Sequence, residues 1–406
     1  MELHAEERGL NLNDCYQLSL KRSEQIAISE TEIEIARHRY FQALGTVLPK
    51  ASFIYRNDLQ DPVSTNSESG FSGNFSQISR SQTAFNLYQP LFQGFREFQS
   101  IKLSKVDQVR QQLLLENAKR LLYEDVTVAY LTIARIERDI DATRMILGVA
   151  RRQLQDLRKE VSLGKSRESD ASEQATIITL LEAQLENRRG ERKVAYETLS
   201  FLTGLNPHPP ISKEAQVKPQ AETLEQYVAL GRKRADIQAA KKETELRKGE
   251  IAITRSELLP NAGISANIYP YREGFLNSSR WDAVLQLEVP IFNGESWGRL
   301  RESKAQSKIS EYETQEKERL AVREIRSAFQ SFRSSEKELK KYQSAAAQAR
   351  KTYQLQKGDF SLGLIDNQSL LVSQRTWLEA IRSRDTAEAL YWLRWVQLQT
   401  RTGLLP

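Results

Sequence analysis

The feature that most constrains this chain is an internal duplication. Residues 89–94 read QPLFQG, and residues 289–294 read VPIFNG. Ser-Leu-Gly at 162–164 returns at 361–363, Thr-Gly-Leu at 203–205 returns at 402–404, and Leu-Pro at 48–49 returns at 259–260. A period of about two hundred residues is far longer than the unit of a solenoid. The pattern therefore indicates two homologous halves within one molecule.

The composition favours long helices with solvated surfaces. Charged residues make up 28% of the chain, and 59 basic residues meet 53 acidic ones, which leaves a formal net charge of +6. Charges of both signs along the same helices are typical of a solvated face. Because no nucleic-acid-binding motif accompanies them, we expect no nucleic acid partner.

The first half, residues 1–205, is predicted to hold three helices and a strand pair. One helix from Leu12 to Val47 precedes strands at 50–59 and 82–92, and a long helix follows at 95–161. A tip at 162–167 leads to a further helix at 168–203. The long helix has a seam of apolar residues every seven positions, which predicts a left-handed coiled coil: Val126, Ile133, Ile140, Leu147, Leu154 and Val161.

The second half, residues 221–406, repeats this order after a proline-containing linker at 206–220. A helix from Leu224 to Leu258 precedes strands at 262–271 and 280–292. A long helix at 295–360, a tip at 361–365 and a helix at 366–402 follow. Its seam keeps the heptad register of the first half: Ile325, Phe332, Leu339, Ala346, Tyr353 and Phe360.

Each predicted strand has one polar and one apolar face and is long enough to cross a bilayer when tilted. In the last strand, Trp281, Leu285 and Leu287 alternate with Gln286 and Glu288. Four strands cannot close a barrel, and lipid does not tolerate an open strand edge. If the strands span a membrane, several copies of the chain must pool them. The alternative is that the strands form small soluble hairpins that cap helical rods.

The sequence predicts no enzyme, no cofactor and no metal site. Three scattered histidines (His4, His38 and His208) have no partners at metal-ligand spacing, and no glycine-rich phosphate loop is present. Cys15 is the single cysteine, so a disulfide within the chain is excluded. Residues 1–9 are polar and do not resemble a signal peptide. We therefore expect either a cytosolic protein or a mature form whose leader has been removed.

From Leu12 to Leu404 the sequence resembles the TolC-type outer-membrane efflux proteins. The order, duplication and spacing of the motifs carry the resemblance: the two Leu-Pro helix ends, QPLFQG with VPIFNG, the two Leu-Gly tips, and Arg234-Ala235-Asp236-Ile237. The resemblance implies a mainly α fold with a small β part. Three copies would form a long coiled-coil α-helical barrel and a transmembrane β-barrel with four strands from each chain. It also implies a location in the bacterial outer membrane that extends into the periplasm, with outer-membrane lipid, a periplasmic adaptor protein and an inner-membrane transporter as partners.

The candidate functional residues lie at the two tips. The resemblance implies adaptor contacts there, and the apolar side chains suit a contact patch: Leu163, Gly164, Lys165, Ser166, Ser361, Leu362, Gly363, Leu364 and Ile365. The glycines also fit a purely structural role, because glycine readily adopts the left-handed turn conformation.

The same resemblance implies an entrance gate near the tips. The best-known family member carries carboxylates six and nine residues after the second tip glycine, where this chain has Ser369 and Val372. Asp366 lies nearby, and the equivalent offsets in the first half hold Asp170 and Glu173. Asp170, Glu173, Asp366 and Ser369 are therefore gate candidates, while acids in a first helical turn are also favoured by the helix dipole.

Three functions remain open from the sequence. The leading one is the outer-membrane duct of a tripartite efflux pump, which exports small molecules passively. A duct for type I protein secretion would have the same architecture. A soluble coiled-coil scaffold with hairpin caps is the third.

Overall fold

The structure is a computed structural model that describes residues 9–59, 79–206, 209–212, 222–272 and 279–404. Most of the predicted loops at 61–81 and 272–279, and most of the linker at 206–220, lie outside the described residues. The described elements are α1 (Leu12–Arg22), α2 (Glu24–Gly45), β1 (Lys50–Leu59), β2 (Ser79–Gln93), α3 (Arg96–Ser162), α4 (Glu168–Thr203), α5 (Leu224–Gly231), α6 (Ala235–Ser256), β3 (Asn261–Arg272), β4 (Trp281–Glu288), α7 (Gly294–Ser361) and α8 (Asn367–Thr402).

The element order follows the predicted duplication, with two differences in the helices. The single helix predicted from Leu12 to Val47 is wrong, because the chain leaves the helical conformation at Ser23 (φ −65°, ψ 117°). The Ser23 hydroxyl accepts a hydrogen bond from the amide of Ile26 at 3.4 Å, so the serine starts the next helix. The single helix predicted from Leu224 to Leu258 is also wrong, since α5 ends at Gly231 and α6 begins at Ala235.

The second break is held by the buried side chain of Arg234. Its guanidinium donates two hydrogen bonds to Asp236, at 2.9 and 2.7 Å. It also donates to Glu324 at 2.9 Å and to the Arg401 carbonyl near the end of α8 at 3.2 Å. Bidentate arginine–carboxylate pairs fix geometry as well as adding energy, so this motif ties the break between α5 and α6 to α7 and α8.

The strands form one antiparallel sheet in the order β1-β2-β3-β4. β3 and β1 lie within one residue of their predicted bounds, and β2 begins at Ser79, before the predicted residue 82. β4 ends at Glu288 instead of residue 292. Pro290 follows this end and has no amide to donate to a sheet ladder.

The chain divides into two compact units that do not coincide with the two duplicated halves. The first contains Met1–Ser29, Leu114–Ile237 and Lys317–Pro406, and the second contains Glu30–Leu113 and Gln238–Glu316. The second unit holds the sheet. Polar contacts also join its helices: Arg110 bridges Asp107 on α3 and Glu243 on α6, and Thr244 contacts Thr314 at 2.9 Å.

The first unit holds the larger apolar core. The predicted seam of α3 is buried at its first four positions, Val126, Ile133, Ile140 and Leu147, and these pack with Leu370, Leu378 and Ile381 of α8. In the second seam, Ile325 and Phe332 are almost fully buried with Tyr227 of α5 and Leu398 of α8. Burial at these heptad positions agrees with the predicted coiled-coil packing.

Candidate functional site

The first tip is a helix-terminating turn that requires a left-handed residue. Gly164 has φ +68°. Its amide donates to the Val161 carbonyl at 2.9 Å, and the Lys165 amide donates to the Glu160 carbonyl at 2.8 Å. These two bonds form a Schellman motif, so the structural role predicted for this glycine is present.

The second tip repeats the same turn. Gly363 has φ +73°, its amide donates to the Phe360 carbonyl at 3.0 Å, and the Leu364 amide donates to the Asp359 carbonyl at 2.9 Å. The residue after the glycine differs between the tips, with Lys165 in one and Leu364 in the other. The second tip therefore has the more apolar surface.

Three leucines at the tips are strongly exposed. Leu163 is 68% exposed, Leu362 is 74% exposed and Leu364 is 70% exposed. Ile365 does not match its expected exposure, because it is half-buried and packs against the core of the first unit. The sequence pattern does not indicate that Ile365 is half-buried, because it directly follows the exposed Leu364. The side chain packs inward just before α8 begins.

Two of the three acidic gate candidates, Asp170 and Asp366, accept hydrogen bonds in helix caps. Asp170 accepts hydrogen bonds from the Arg167 amide at 3.3 Å and from the Ser166 hydroxyl at 3.1 Å. Asp366 is the N-cap of α8 and accepts from the Ser369 amide at 2.9 Å. The hydrogen bonds from Ser369 lower the pKa of Asp366 from its ordinary value. Glu173, by contrast, is exposed.

Asn367 links the two tips, and no sequence pattern predicts this role. This buried residue accepts from Gln153 of α3 at 3.1 Å and donates to the Asp170 carbonyl at 3.5 Å. The start of α8 is thereby tied to the end of α3 and to the start of α4. The two tips are one connected structure within the first unit.

Grooves flank the first turns of α8. One groove of about 690 Å³ lies between α7 and α8. It is lined mostly by small and polar side chains: Ala345, Gln348, Ala349, Thr352, Gln356, Gln368, Ser369, Val372, Ser373 and Thr376. The gate candidate Ser369 lies in this groove.

Farther along the helices, Asp139 of α3 joins three helices of the first unit. Its buried carboxylate accepts from Arg382 of α8 and pairs with Arg188 of α4, both at 2.6 Å. Arg382 also donates to the Thr143 hydroxyl at 2.8 Å. Charge-assisted bonds of this length are among the stronger ones in proteins, so this cluster fixes α8 against the pair formed by α3 and α4.

The sheet has the two faces that the alternation predicts. One cross-strand row is Phe53, Phe85, Ile268 and Trp281, and all four side chains are more than half exposed. The next polar row on the other face is Ser52, Asn86, Asn267 and Asp282. In that row Asn86 donates to Asn267 at 2.8 Å, and Asn267 donates to Asp282 at 3.0 Å. A row of large exposed apolar groups opposite a hydrogen-bonded polar face is the pattern of a membrane strand.

Two further observations concern the residues that the structure describes. Among the helices of that part of the chain, none is both long and apolar enough to cross a membrane. The same residues contain no cluster of histidine, cysteine, aspartate or glutamate that could hold a metal ion.

Comparison with known proteins identifies the fold and the family. The sequence matches the family described as "Outer membrane efflux protein" over residues 15–205 and 227–404. It is 23% identical to the alkaline protease secretion protein AprF of Pseudomonas aeruginosa over 98% of this chain and 85% of that protein.

Solved structures give the same fold. The CusC channel superposes with a TM-score of 0.85 at 16% identity and covers 97% of this chain and 92% of its own. The Campylobacter jejuni CmeC outer membrane channel superposes with a TM-score of 0.82 at 17% identity. The match covers 97% of this chain and 85% of CmeC. These relatives are outer-membrane channels with a helical barrel and a β-barrel, and none is an enzyme. The chain therefore belongs to the outer membrane efflux protein family and contributes four strands to a trimeric channel of the outer membrane that extends into the periplasm.

Proposed function

We propose that this chain is the outer-membrane duct of a tripartite efflux pump, through which small molecules leave the cell passively. The observation that carries the proposal is the exposure of Leu163, Leu362 and Leu364 on two hydrogen-bonded turns. Large apolar side chains held in water by a rigid turn do not contribute to the core, and clustered exposure of this kind marks a binding surface.

The proposed partner at this surface is a periplasmic adaptor that connects the duct to an inner-membrane transporter. Leu163, Gly164, Lys165, Ser166, Ser361, Leu362, Gly363 and Leu364 remain the proposed contact residues. Ile365 is removed from the exposed set because it packs against the core of the first unit. The energy for export would come from these partners, since the duct itself supplies only a path.

Two of the proposed gate residues also have a structural role. Asp170 and Asp366 serve as caps, so their carboxylates already have hydrogen-bond donors from their own chain. Glu173 and Ser369 are both exposed, and the Ser369 side chain hydrogen-bonds Asp366. We assign the entrance to these four residues, three of which are carboxylates, and Glu173 is the one outside the caps.

A duct for type I protein secretion is the second candidate. The specific observation in its favour is the likeness to AprF, whose name describes the secretion of an alkaline protease. The soluble scaffold is not retained, because the family is one of outer-membrane channels.

A paired assay in a strain that lacks its own outer-membrane ducts distinguishes small-molecule efflux from protein secretion. The chain is expressed with the adaptor and transporter encoded beside its gene. Efflux predicts lower accumulation of a fluorescent dye, whereas secretion predicts a peptide or protein reporter in the medium. Reporter export without any change in dye accumulation would contradict the efflux proposal.

The tip surface is tested with Leu364→Asp and the matched control Leu364→Met. We expect Leu364→Asp to abolish dye efflux and site-specific crosslinking from Ser361 to the adaptor, because a carboxylate would be buried without a partner. We expect Leu364→Met to retain both, since it keeps the apolar area. The thermal stability of the purified trimer should change little in either variant, because Leu364 is 70% exposed.

Efflux and crosslinking at the native level in Leu364→Asp would contradict the contact. Loss of the trimer would show that Leu364 holds the fold and does not act as a docking residue.

A further inference from the structure

The polar face of the sheet carries its charges unevenly along the strands. At the end where the strands join the helices, β1 begins at Lys50 and β4 ends at Glu288, and these two charges are opposite in sign. The other end, where β1 finishes at Leu59, holds Arg56 of β1 and Arg272 of β3. Because the helices extend into the periplasm, this second end is the extracellular mouth of the barrel.

Two arginines flank one glutamine in a single cross-strand row. Arg56 of β1 lies opposite Gln82 of β2, and Gln82 lies opposite Arg272 of β3. Gln82 is four residues from Asn86 along β2, so the row belongs to the polar face that also carries Asn86 and Asn267. Directly opposed residues have Cβ atoms roughly 4.5–5.5 Å apart, so the two guanidinium groups can reach the same anionic ligand.

The side chain of Arg272 is held in place by neutral groups. Its guanidinium carbon lies 3.4 Å from the centre of the Tyr269 ring. Its Nε donates to the side-chain oxygen of Gln82, and its Nη1 donates to the Ser279 hydroxyl, both at 3.3 Å. Stacking and neutral acceptors orient a guanidinium without cancelling its charge. In the part of the chain that the structure describes, no carboxylate forms an ion pair with Arg272 or Arg56.

The carboxylates nearest to this row do not cancel its charge. Asp58 is two residues beyond Arg56 on the same face, and it lies opposite a further arginine, Arg80. Asp282 lies deeper in the sheet, accepts hydrogen bonds from two neutral side chains and interacts with Arg272 only at longer range. At the extracellular end, the register therefore sets three arginines against one aspartate on the polar face.

We propose that Arg56 and Arg272 form an anion-binding ring at the extracellular mouth, which takes carboxylate, sulfonate or phosphate groups of cargo that leaves the duct. The proposal rests on the duct role proposed above, which efflux and secretion share. Three copies place six of these arginines around the lumen. Rings of arginine or lysine select anions in pores, and a mouth lined by one sign of charge concentrates counter-ions. Lipid phosphates lie outside the barrel and do not reach a ring that faces the lumen.

Ion selectivity in planar lipid bilayers tests the ring in the intact trimer. The reversal potential in a KCl gradient is compared between the native protein, the pair Arg56→Gln with Arg272→Gln, and the matched control pair Arg56→Lys with Arg272→Lys. The carboxylates at the periplasmic entrance favour cations, so the measured quantity is the change between variants. We expect the glutamine pair to shift the reversal potential toward potassium selectivity and the lysine pair to stay near the native value, because only the first removes charge. An unchanged reversal potential in the glutamine pair would overturn the ring.

Binding of pyrenetetrasulfonate to the detergent-solubilised trimer tests the same ring without passage through the duct. We expect the native protein and the lysine pair to raise the fluorescence anisotropy of this tetra-anion, with an affinity that falls as salt rises, and the glutamine pair to lose the binding. No binding by the native trimer, or native-level binding by the glutamine pair, would overturn the proposal.

If the glutamine pair prevents assembly, Arg56→Gln alone is used, because this exposed side chain has no partner among the described residues. The single variant should weaken binding and shift the reversal potential in the same direction, and native values of both would overturn the ring. Native values of both together with dye efflux in cells would reject the ring and leave the efflux proposal intact, so the two proposals fail separately.

Discussion

Asp139 is the residue on which three helices of the first unit depend. Its carboxylate is the common acceptor for Arg382 and Arg188, and its side chain is only 7% exposed. Asp139→Ala would leave both arginines without this acceptor. Hydrogen bonds to charged groups contribute about 1.5–3 kcal/mol each, so we expect a marked fall in stability. Chemical denaturation of the detergent-solubilised protein, followed by circular dichroism, measures the change.

Asp141 provides the matched control one half-turn away. It pairs with Arg144 at 3.7 Å, and both side chains are about half exposed. Exposed pairs contribute roughly 0–1 kcal/mol, so Asp141→Ala should have a small effect. Equal destabilisation by the two substitutions would refute a special role for the buried cluster.

At the scale of the element, the faces of β4 give a direct prediction. Leu285 lies on the apolar face opposite Ile264, and Gln286 lies on the polar face opposite Gly263. Leu285→Lys should cost roughly 2–4 kcal/mol if the residue lies near the middle of the bilayer, because a charge on the lipid face must be desolvated. We expect Gln286 to face the lumen, so Gln286→Lys should cost far less. Folding titrations into lipid vesicles compare the two variants, and equal costs would refute the assignment of the faces.

Periodic signals allowed most elements to be predicted from the sequence. The strands alternate with a period of two, the long helices carry a heptad seam, and glycines mark both tips, so these features are encoded locally. The break at Ser23 has no periodic signal, because serine also occurs inside helices and acts as an N-cap only where the backbone leaves the helix. The break after Gly231 depends on tertiary contacts, since Arg234 reaches α7 and α8.

Only those parts of the candidate site that depend on local sequence could be predicted. The left-handed glycines of the tips follow from local turn chemistry. The roles of Asn367 and Asp139 depend on residues more than forty positions away in the sequence, and such pairings have no periodic signal. The half-burial of Ile365 likewise depends on packing against the core.

At the scale of the whole molecule, the strand count determines the assembly. In the part of the chain that the structure describes, four strands form the sheet, and β1 and β4 are its outer strands. Unpaired backbone groups in lipid cost several kcal/mol each, so a single chain does not stay open in a membrane. Eight or twelve strands would both close a barrel. The channels of the family are trimers, so the barrel has twelve strands.

We therefore predict that three chains form each particle, because strand pairing sets the stoichiometry. Light scattering of the detergent-solubilised protein, corrected for bound detergent, should give three chains per particle. A trimer whose strands pair between copies should also dissociate when an edge is blocked. Leu287→Pro removes an amide from β4 and should reduce the trimer fraction, whereas Leu48→Pro, which precedes β1, should not act through an edge. A monodisperse monomer of the native protein that remains folded in lipid would contradict the pooled barrel.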